Sequence, residues 1–300
     1  MIYFLKKYRR GIKNRYRKGM PLTEMIIKDL GYIIRELVNY FINHFRDRTI
    51  LIYPHLPSSG STMYKVAKIL RYNITNKKDR KFDLAVYWEY LTNRLEYQYL
   101  ESLAHKIRII NLHSRDISKV FVDKKFHEAF LYSSIINPLE YMGTCVKKND
   151  INARHDGVII NCPIDKTEKG YIYQVLIDNS YNHDLVRDIR VPVVDSVLDF
   201  VYLKYRKITE RFKNTTEYVE VVDIKEVLSD KEIGNLNNFC KLINLEYGEL
   251  DVLRDNKNKH IYVVDVNNTP QGPPKNISKK AGKQALNKIA TAFAEKYLML

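Results

Sequence analysis

Cysteine is scarce in this 300-residue chain. The three present, Cys145, Cys162 and Cys240, show no C-x-x-C spacing and make no even set. A disulfide framework is therefore excluded, and a reducing cytoplasm is the expected setting. No run of 18 uncharged apolar residues occurs, so no membrane-spanning helix is expected. No clean apolar segment follows the basic start, so no secretory signal peptide is read. Internal repeats, low-complexity tracts and the G-x-x-x-x-G-K-[ST] phosphate loop are missing. So are RNP, zinc-finger and helix-turn-helix signatures, which weighs against nucleic acid as a partner. No Ser-His-Asp or Cys-His arrangement is evident either. Acidic residues are in deficit: 35 Asp and Glu against 50 Lys and Arg, a net charge of +15. That excess points to a polyanionic partner such as a nucleotide, an acidic glycan or an anionic membrane.

With 45% hydrophobic and 28% charged residues, the chain reads as soluble and globular, long enough for two domains. The basic excess is concentrated at the start. Residues 1–20 carry eight Lys and Arg and no acid. Apolar residues from Ile26 to Phe45 then fall at helical spacing, predicting a helix over Met25–Phe45. Residues 1–48 are read as a basic arm and helix, either packed on the main body or contacting the inner face of a membrane peripherally. TILIY (49–53), DLAVY (83–87) and IRIIN (107–111) are predicted strands. With the helix that follows Ser58–Thr62, they predict a small parallel α/β unit over 49–113. Ser58–Thr62 is read as a helix cap in preference to an anion site.

The rest, 114–300, carries the motifs. In EYGELDVLRDNKNKHIYVVDVNNTPQGPP (246–274), two β-patterned arms flank a polar turn. Alternation puts Glu249 and Asp251 on one face, and Asp265 and Asn267 on one face of the second arm. Folding the hairpin gathers Asp251, Asp265 and Asn267, an oxygen-only set suited to Mg²⁺. Ser229 with Glu232 forms a capping-box pattern ahead of a helix to Leu242. A final amphipathic helix is expected over Ser278–Leu300.

An Asp strand, a turn, then apolar-apolar-Asp-Val-Asn followed by Pro and Gly resembles the metal end of the ATP-grasp enzymes. Upstream motifs keep that family's order: Ser114-Arg-Asp with Lys119 at a helix start, a strand ending in Lys147-Lys148, YIYQVLID (171–178), DIRVPVV (188–194) and FVYLKYR (200–206). The departures are Asp265 where the family usually has Glu, Lys119 three residues after Asp116 where the family more often has Lys directly after Asp, and a covering loop with only Gly157 as glycine. That loop is expected to grip phosphate through side chains such as Asn149 and Asn152; His155 is read as a turn residue in preference to a phosphate ligand.

The resemblance implies an α/β ATP-grasp fold preceded by a small Rossmann-like domain. It also implies roles. Lys119, Lys148 and Lys204 would bind nucleotide phosphates, with Lys147 competing for the place of Lys148. Gln174 and Leu176 would bind the adenine. Asp251, Asp265 and Asn267 would hold Mg²⁺ or Mn²⁺. Arg190, Lys204 and Arg206, lining the cleft opposite the metals, would stabilise the reacting phosphate. The implied activity is ADP-forming ligation of a carboxylate to an amine or other nucleophile through an acyl-phosphate, with surface glycan or peptide modification as a setting. Two alternatives stand beside it: a kinase of the same fold acting on a small-molecule or glycan acceptor, and a non-enzymatic membrane or nucleic-acid binder.

Overall fold

The computed structural model describes residues 21–31, 34, 48–154 and 156–298. The basic arm, His155 and most of the predicted Met25–Phe45 helix lie outside them. The chain forms two compact units, Met1–Asp47 and Arg48–Leu300. In the first, residues 22–31 are helical, and Lys28 pairs with Glu24 one turn earlier. Leu22, Ile26, Ile27, Leu30 and Ile34 are all exposed there.

The second unit begins with a four-stranded parallel sheet of order β2-β1-β3-β4: β1 (Thr49–Pro54), β2 (Asn73–Thr75), β3 (Leu84–Trp88) and β4 (Ile109–Ile110). Helix α1 (Thr62–Ile69) starts at Ser61, whose hydroxyl accepts from the Tyr64 N–H, so the Ser58–Thr62 stretch ends in a cap. Strand β2 and helix α2 (Gln98–Ala104) have no counterpart in the sequence reading. Both are short, with too few residues to show a period.

Helix α3 (Lys119–Phe130) is capped by Ser118 and leads to a three-stranded antiparallel sheet, order β6-β5-β7. Its strands are β5 (Gly143–Asn149), β6 (Val158–Cys162) and β7 (Tyr171–Val175). The large sheet follows: β8 (Leu185–Val194), β9 (Ser196–Val197), β10 (Phe200–Lys207), β11 (Tyr218–Asp223), β12 (Tyr247–Arg254) and β13 (Ile261–Asn267), in order β11-β10-β8-β12-β13 with β9 beside β8. One face of this sheet packs on α3 and α4 (Asp230–Leu242) around Phe126, Val191, Leu236, Phe239 and Leu250. The other end of the sheet joins the parallel sheet and α5 (Lys279–Tyr297) through Trp88, Tyr202, Tyr247 and Phe293. The capping box of Ser229 and Glu232 is formed at α4. Mixed helices and sheets in this order make the α/β architecture that the sequence predicts.

A candidate nucleotide and metal cleft

Strand alternation selects which side chains of the large sheet face the cleft. On β8 these are Asp188 and Arg190, on β10 Lys204 and Arg206, on β12 Asp251, and on β13 Asp265. The three-stranded sheet contributes Lys148 and Gln174, with Leu176 just past β7, and the start of α3 contributes Lys119. Together they enclose about 1050 Å³ of free space, the open mouth included. Nine of the ten residues singled out in the sequence thus line one cleft. The tenth, Asn267, joins it through Asp251: its Nδ2 donates to Asp251 Oδ2 at 3.3 Å.

The metal hairpin has the register that the sequence suggests. Asp251 faces Asp265 and Glu249 faces Asn267 across β12 and β13, with a bulge just beyond Asp251. Asp265 Oδ1 is buried and has no hydrogen-bond partner among the described residues, and burial pushes its pKa up. Asp251 differs. Burial opposes its charge, but Arg190 and Lys204 outweigh that and hold its carboxyl well below the usual range. No group of three or more His, Cys, Asp or Glu among the described residues is placed to hold a metal by itself. Two carboxylates and an amide oxygen fit Mg²⁺, which completes its shell with water and phosphate oxygens, and the orphaned Asp265 oxygen is of the type that would bind it.

The basic residues are not across from the carboxylates, as the sequence reading expected. Strand β8 lies between β10 and β12, so Arg190 is the cross-strand neighbour of Asp251. They form a two-pronged pair, Nε to Oδ1 at 2.8 Å and Nη2 to Oδ2 at 2.9 Å, the planar geometry that arginine favours with carboxylates. Lys204 Nζ stands 4.0 Å from Asp251 Oδ1, and burial lowers its pKa. Arg206 is committed to Asp188 and to the carbonyls of Arg211 and Lys213, the last at 2.7 Å. It therefore braces the 211–213 turn, and only its edge reaches the cleft.

Register also separates the two lysines of β5. Lys147 turns outward, pairs with Glu168 and lies over the Tyr171 ring. Lys148 turns inward, and its Nζ donates to the Val264 carbonyl at 3.3 Å. Burial brings its pKa down to about 8, against the pull of Asp265. Lys119 also faces in, held by the Ile151 carbonyl at 3.1 Å. Gln174 is oriented by a relay: its Nε2 donates to Ser134 Oγ at 2.6 Å, and Ser134 donates to Asp123 at 2.7 Å. That leaves the amide oxygen as the end facing a ligand.

The covering loop is held down by side chains. Asn152 Nδ2 donates to the Val266 carbonyl at 3.0 Å, so this amide anchors the loop and is not free for phosphate. Gly157 packs against Phe212: a Cβ at 157 would lie 2.7 Å from that ring. Sequence reasoning gave no role to Arg154, Asp188 or Arg211, which also line the cleft. Arg154 carries a legible signal, a cation inside a phosphate-covering loop. Asp188 was visible as the first residue of the DIRVPVV motif, but its partner and that of Arg211 were not, because only folding brings them to Arg206 and to Asn179, which accepts from Arg211 at 2.7 Å.

Neither a scan against protein-family models nor a search of curated proteins returns a match. Solved structures do match. The ATP-grasp ligase PsnB, complexed with minimal precursor, matches with a TM-score of 0.51 at 13% identity, over 83% of this chain and 99% of that one. D-alanine–D-alanine ligase from Bacillus anthracis matches with a TM-score of 0.53 at 14% identity, over 83% and 96%. The same ligase complexed with ATP matches with 0.51 at 16% identity, again over 83% and 96%. Those coverages take in nearly the whole of each neighbour. The chain has the ATP-grasp fold.

Proposed function

We propose that this protein is an ADP-forming ligase that joins a carboxylate to an amine or other nucleophile through an acyl-phosphate. One observation carries the reading: two inward lysines, Lys119 and Lys148, share a cleft with the Asp251–Asp265 pair and with Arg190 and Lys204. Lysines from the small sheet and α3 would hold the phosphates of ATP, and Gln174 and Leu176 would border its adenine. Asp251, Asp265 and Asn267 would hold Mg²⁺, which, when bound, neutralises charge on the transferring phosphoryl group. Lys204, whose ammonium has no closer anion than Asp251 at 4.0 Å among the described residues, is free to swing to a phosphate oxygen. Arg190 keeps Asp251 ionised and aimed, which is a positioning role. The neighbours named above are ligases, and this chain shares their fold.

The test is ADP release. A ligase forms ADP when a carboxylate and a nucleophile are both present, and with carboxylate plus hydroxylamine it yields a hydroxamate. A phosphorylated product that is stable to hydroxylamine, with no hydroxamate across a broad carboxylate panel, would make it a kinase instead. The same reading places the amino-terminal unit at an anionic membrane surface. The exposed Leu22, Ile26, Ile27, Leu30 and Ile34 share one helix face and follow a stretch with eight cations. No helix among the described residues is long and apolar enough to cross a membrane. Deleting residues 1–20 is expected to preserve turnover in solution and to abolish salt-sensitive binding to phosphatidylserine vesicles; unchanged vesicle binding would remove the membrane from this proposal.

A further inference from the structure

The cleft floor continues one rung past Arg190 and Asp251, and there it goes under cover. On that face Tyr202 precedes Lys204 on β10, and Tyr247 and Glu249 precede Asp251 on β12. Their cover comes from the parallel sheet and α1. The Trp88 ring lies 6.5 Å from that of Tyr247, and Thr62 opens α1. Among the described residues, Thr62 Oγ1, Trp88 Nε1, the hydroxyls of Tyr202 and Tyr247 and both Glu249 oxygens are buried with no hydrogen-bond partner. Each such atom forfeits its bonds to water without replacement, and native proteins leave few in that state. Packing accounts for the rings of this patch but not for its polar atoms.

The carboxylate is the most demanding of them. Glu249 is 1% exposed. Its nearest cation is Arg190 Nη1 at 3.4 Å, and the Nε and Nη2 of that guanidinium are both given to Asp251. Both Glu249 oxygens lack a hydrogen bond and the one cation nearby is engaged, so the group that satisfies them best is an ammonium with three donors, where a hydroxyl offers one. The surrounding rings of Trp88, Tyr202 and Tyr247 also favour a cation. Gly272 lies against both groups, since a Cβ there would lie 3.0 Å from Thr62 Oγ1 and 3.5 Å from Glu249 Oε1. The facing wall is the 57–62 loop, tied there by two backbone bonds, the Thr62 N–H to the Pro270 carbonyl at 3.1 Å and the Gly272 N–H to the Gly60 carbonyl at 3.2 Å. Ser58 Oγ also donates to Gln271 Oε1 at 3.0 Å and Lys65 Nζ to the Gly272 carbonyl, so parting the loop breaks these ties and the Ser61–Gln271 bridge but none of the named sheets.

Resting on the ligase reading, we propose that this patch is the seat of the nucleophile and that the nucleophile is a primary amine. Its ammonium enters between the 57–62 loop and Gly272 and is held by the Glu249 carboxylate, with the hydroxyls of Thr62 and Tyr202 beside it; the ammonium passes one proton to that carboxylate, and the freed nitrogen then forms its bond to the acyl carbon as the carbon–oxygen bond to phosphate breaks and phosphate leaves. The seat is one pleat from Asp251, so the amine arrives next to the groups that hold the phosphates.

Trp88 is the only tryptophan and reports on its own wall of the seat. The experiment titrates the full chain, saturated with Mg²⁺ and ADP, with methylammonium, glycinamide and putrescine, and with ethylene glycol and glycerol as neutral probes, reading Trp88 emission. The expected result is a saturable change with at least one ammonium and none with the diol or triol at equal concentration. Glu249→Gln is expected to weaken that binding at least tenfold. Gly272→Ala is expected to do the same by filling the seat without altering charge, so a folding failure in either variant leaves the other to decide. Both variants should bind ADP within twofold of the parent at the same Mg²⁺ concentration. Neutral probes binding as tightly as ammoniums, no change with any ammonium, or unaltered binding in the folded variants would overturn the proposal. A raised Mg²⁺ requirement for ADP in Glu249→Gln would also overturn it, by making Glu249 a metal ligand. None of these readouts needs turnover, so they stand apart from the hydroxamate test of the ligase reading.

Discussion

Replacing Lys148 by Met should move stability and nucleotide affinity in opposite directions. In the unfolded chain a lysine titrates near 10.4; in the folded cleft burial brings Lys148 down to about 8. Between those values the unfolded state binds more protons, so stability rises with pH through that window. At pH 7 both states are protonated and the full penalty of holding the charge in the cleft is present, about 3 kcal/mol from a shift of this size. Losing the bond to the Val264 carbonyl offsets about 1 kcal/mol. Lys148→Met should therefore stabilise the ligand-free protein by about 2 kcal/mol at pH 7, and by progressively less as pH rises from 8 to 10. The same substitution removes a charged contact to phosphate worth about 1.5–3 kcal/mol, so ATP-analogue binding should weaken about tenfold or more. Lys147→Met removes only an exposed pair with Glu168 and should leave both quantities nearly unchanged. Urea unfolding and calorimetric titration at pH 7 and pH 9 measure both effects. In the parent, affinity should fall as pH rises through about 8 while Lys148 loses its proton, and Lys148→Met should be flat there. A destabilised Lys148→Met with unchanged nucleotide affinity would refute the inward assignment.

Three further outcomes are expected. Asp265→Asn should lose ADP formation while keeping or raising its melting temperature, because the carboxylate it removes is buried with an unpartnered oxygen; both are read on one preparation. Arg190→Ala should destabilise by about 3–5 kcal/mol, since it strands Asp251 and Glu249 without their shared cation; equilibrium unfolding measures it, and Arg190→Lys should recover only part because lysine cannot make the two-pronged bond. Gly157→Ala places a Cβ against the Phe212 ring and should lift the covering loop, raising the KM for ATP several-fold with little change in unfolding free energy; Phe212→Ala in the same chain should relieve it.

What the sequence determined by itself was local and periodic. Alternation put Asp251 and Glu249 on one face, and Asp265 and Asn267 on one face, and the hairpin pairs them in that register because a one-residue slip would expose Val252 and Val266, both fully buried. The caps at Ser61, within the Ser58–Thr62 stretch, and at Ser229 were legible for the same reason, each being set by a few neighbouring residues. The order of motifs along the chain indicated the fold before any contact was known. Tertiary structure decided what depends on strand order. No spacing says that β8 lies between β10 and β12, and that placement makes Arg190 the partner of Asp251 rather than a group facing it across the cleft. It also spends Arg206 on Asp188 and turns Lys148 inward and Lys147 outward. Glu249 shows the difference most plainly: its face could be read from the sequence, but its burial among Thr62, Trp88 and Tyr202 could not, because those residues come from segments up to 187 positions away and meet only when the parallel sheet docks on the large one.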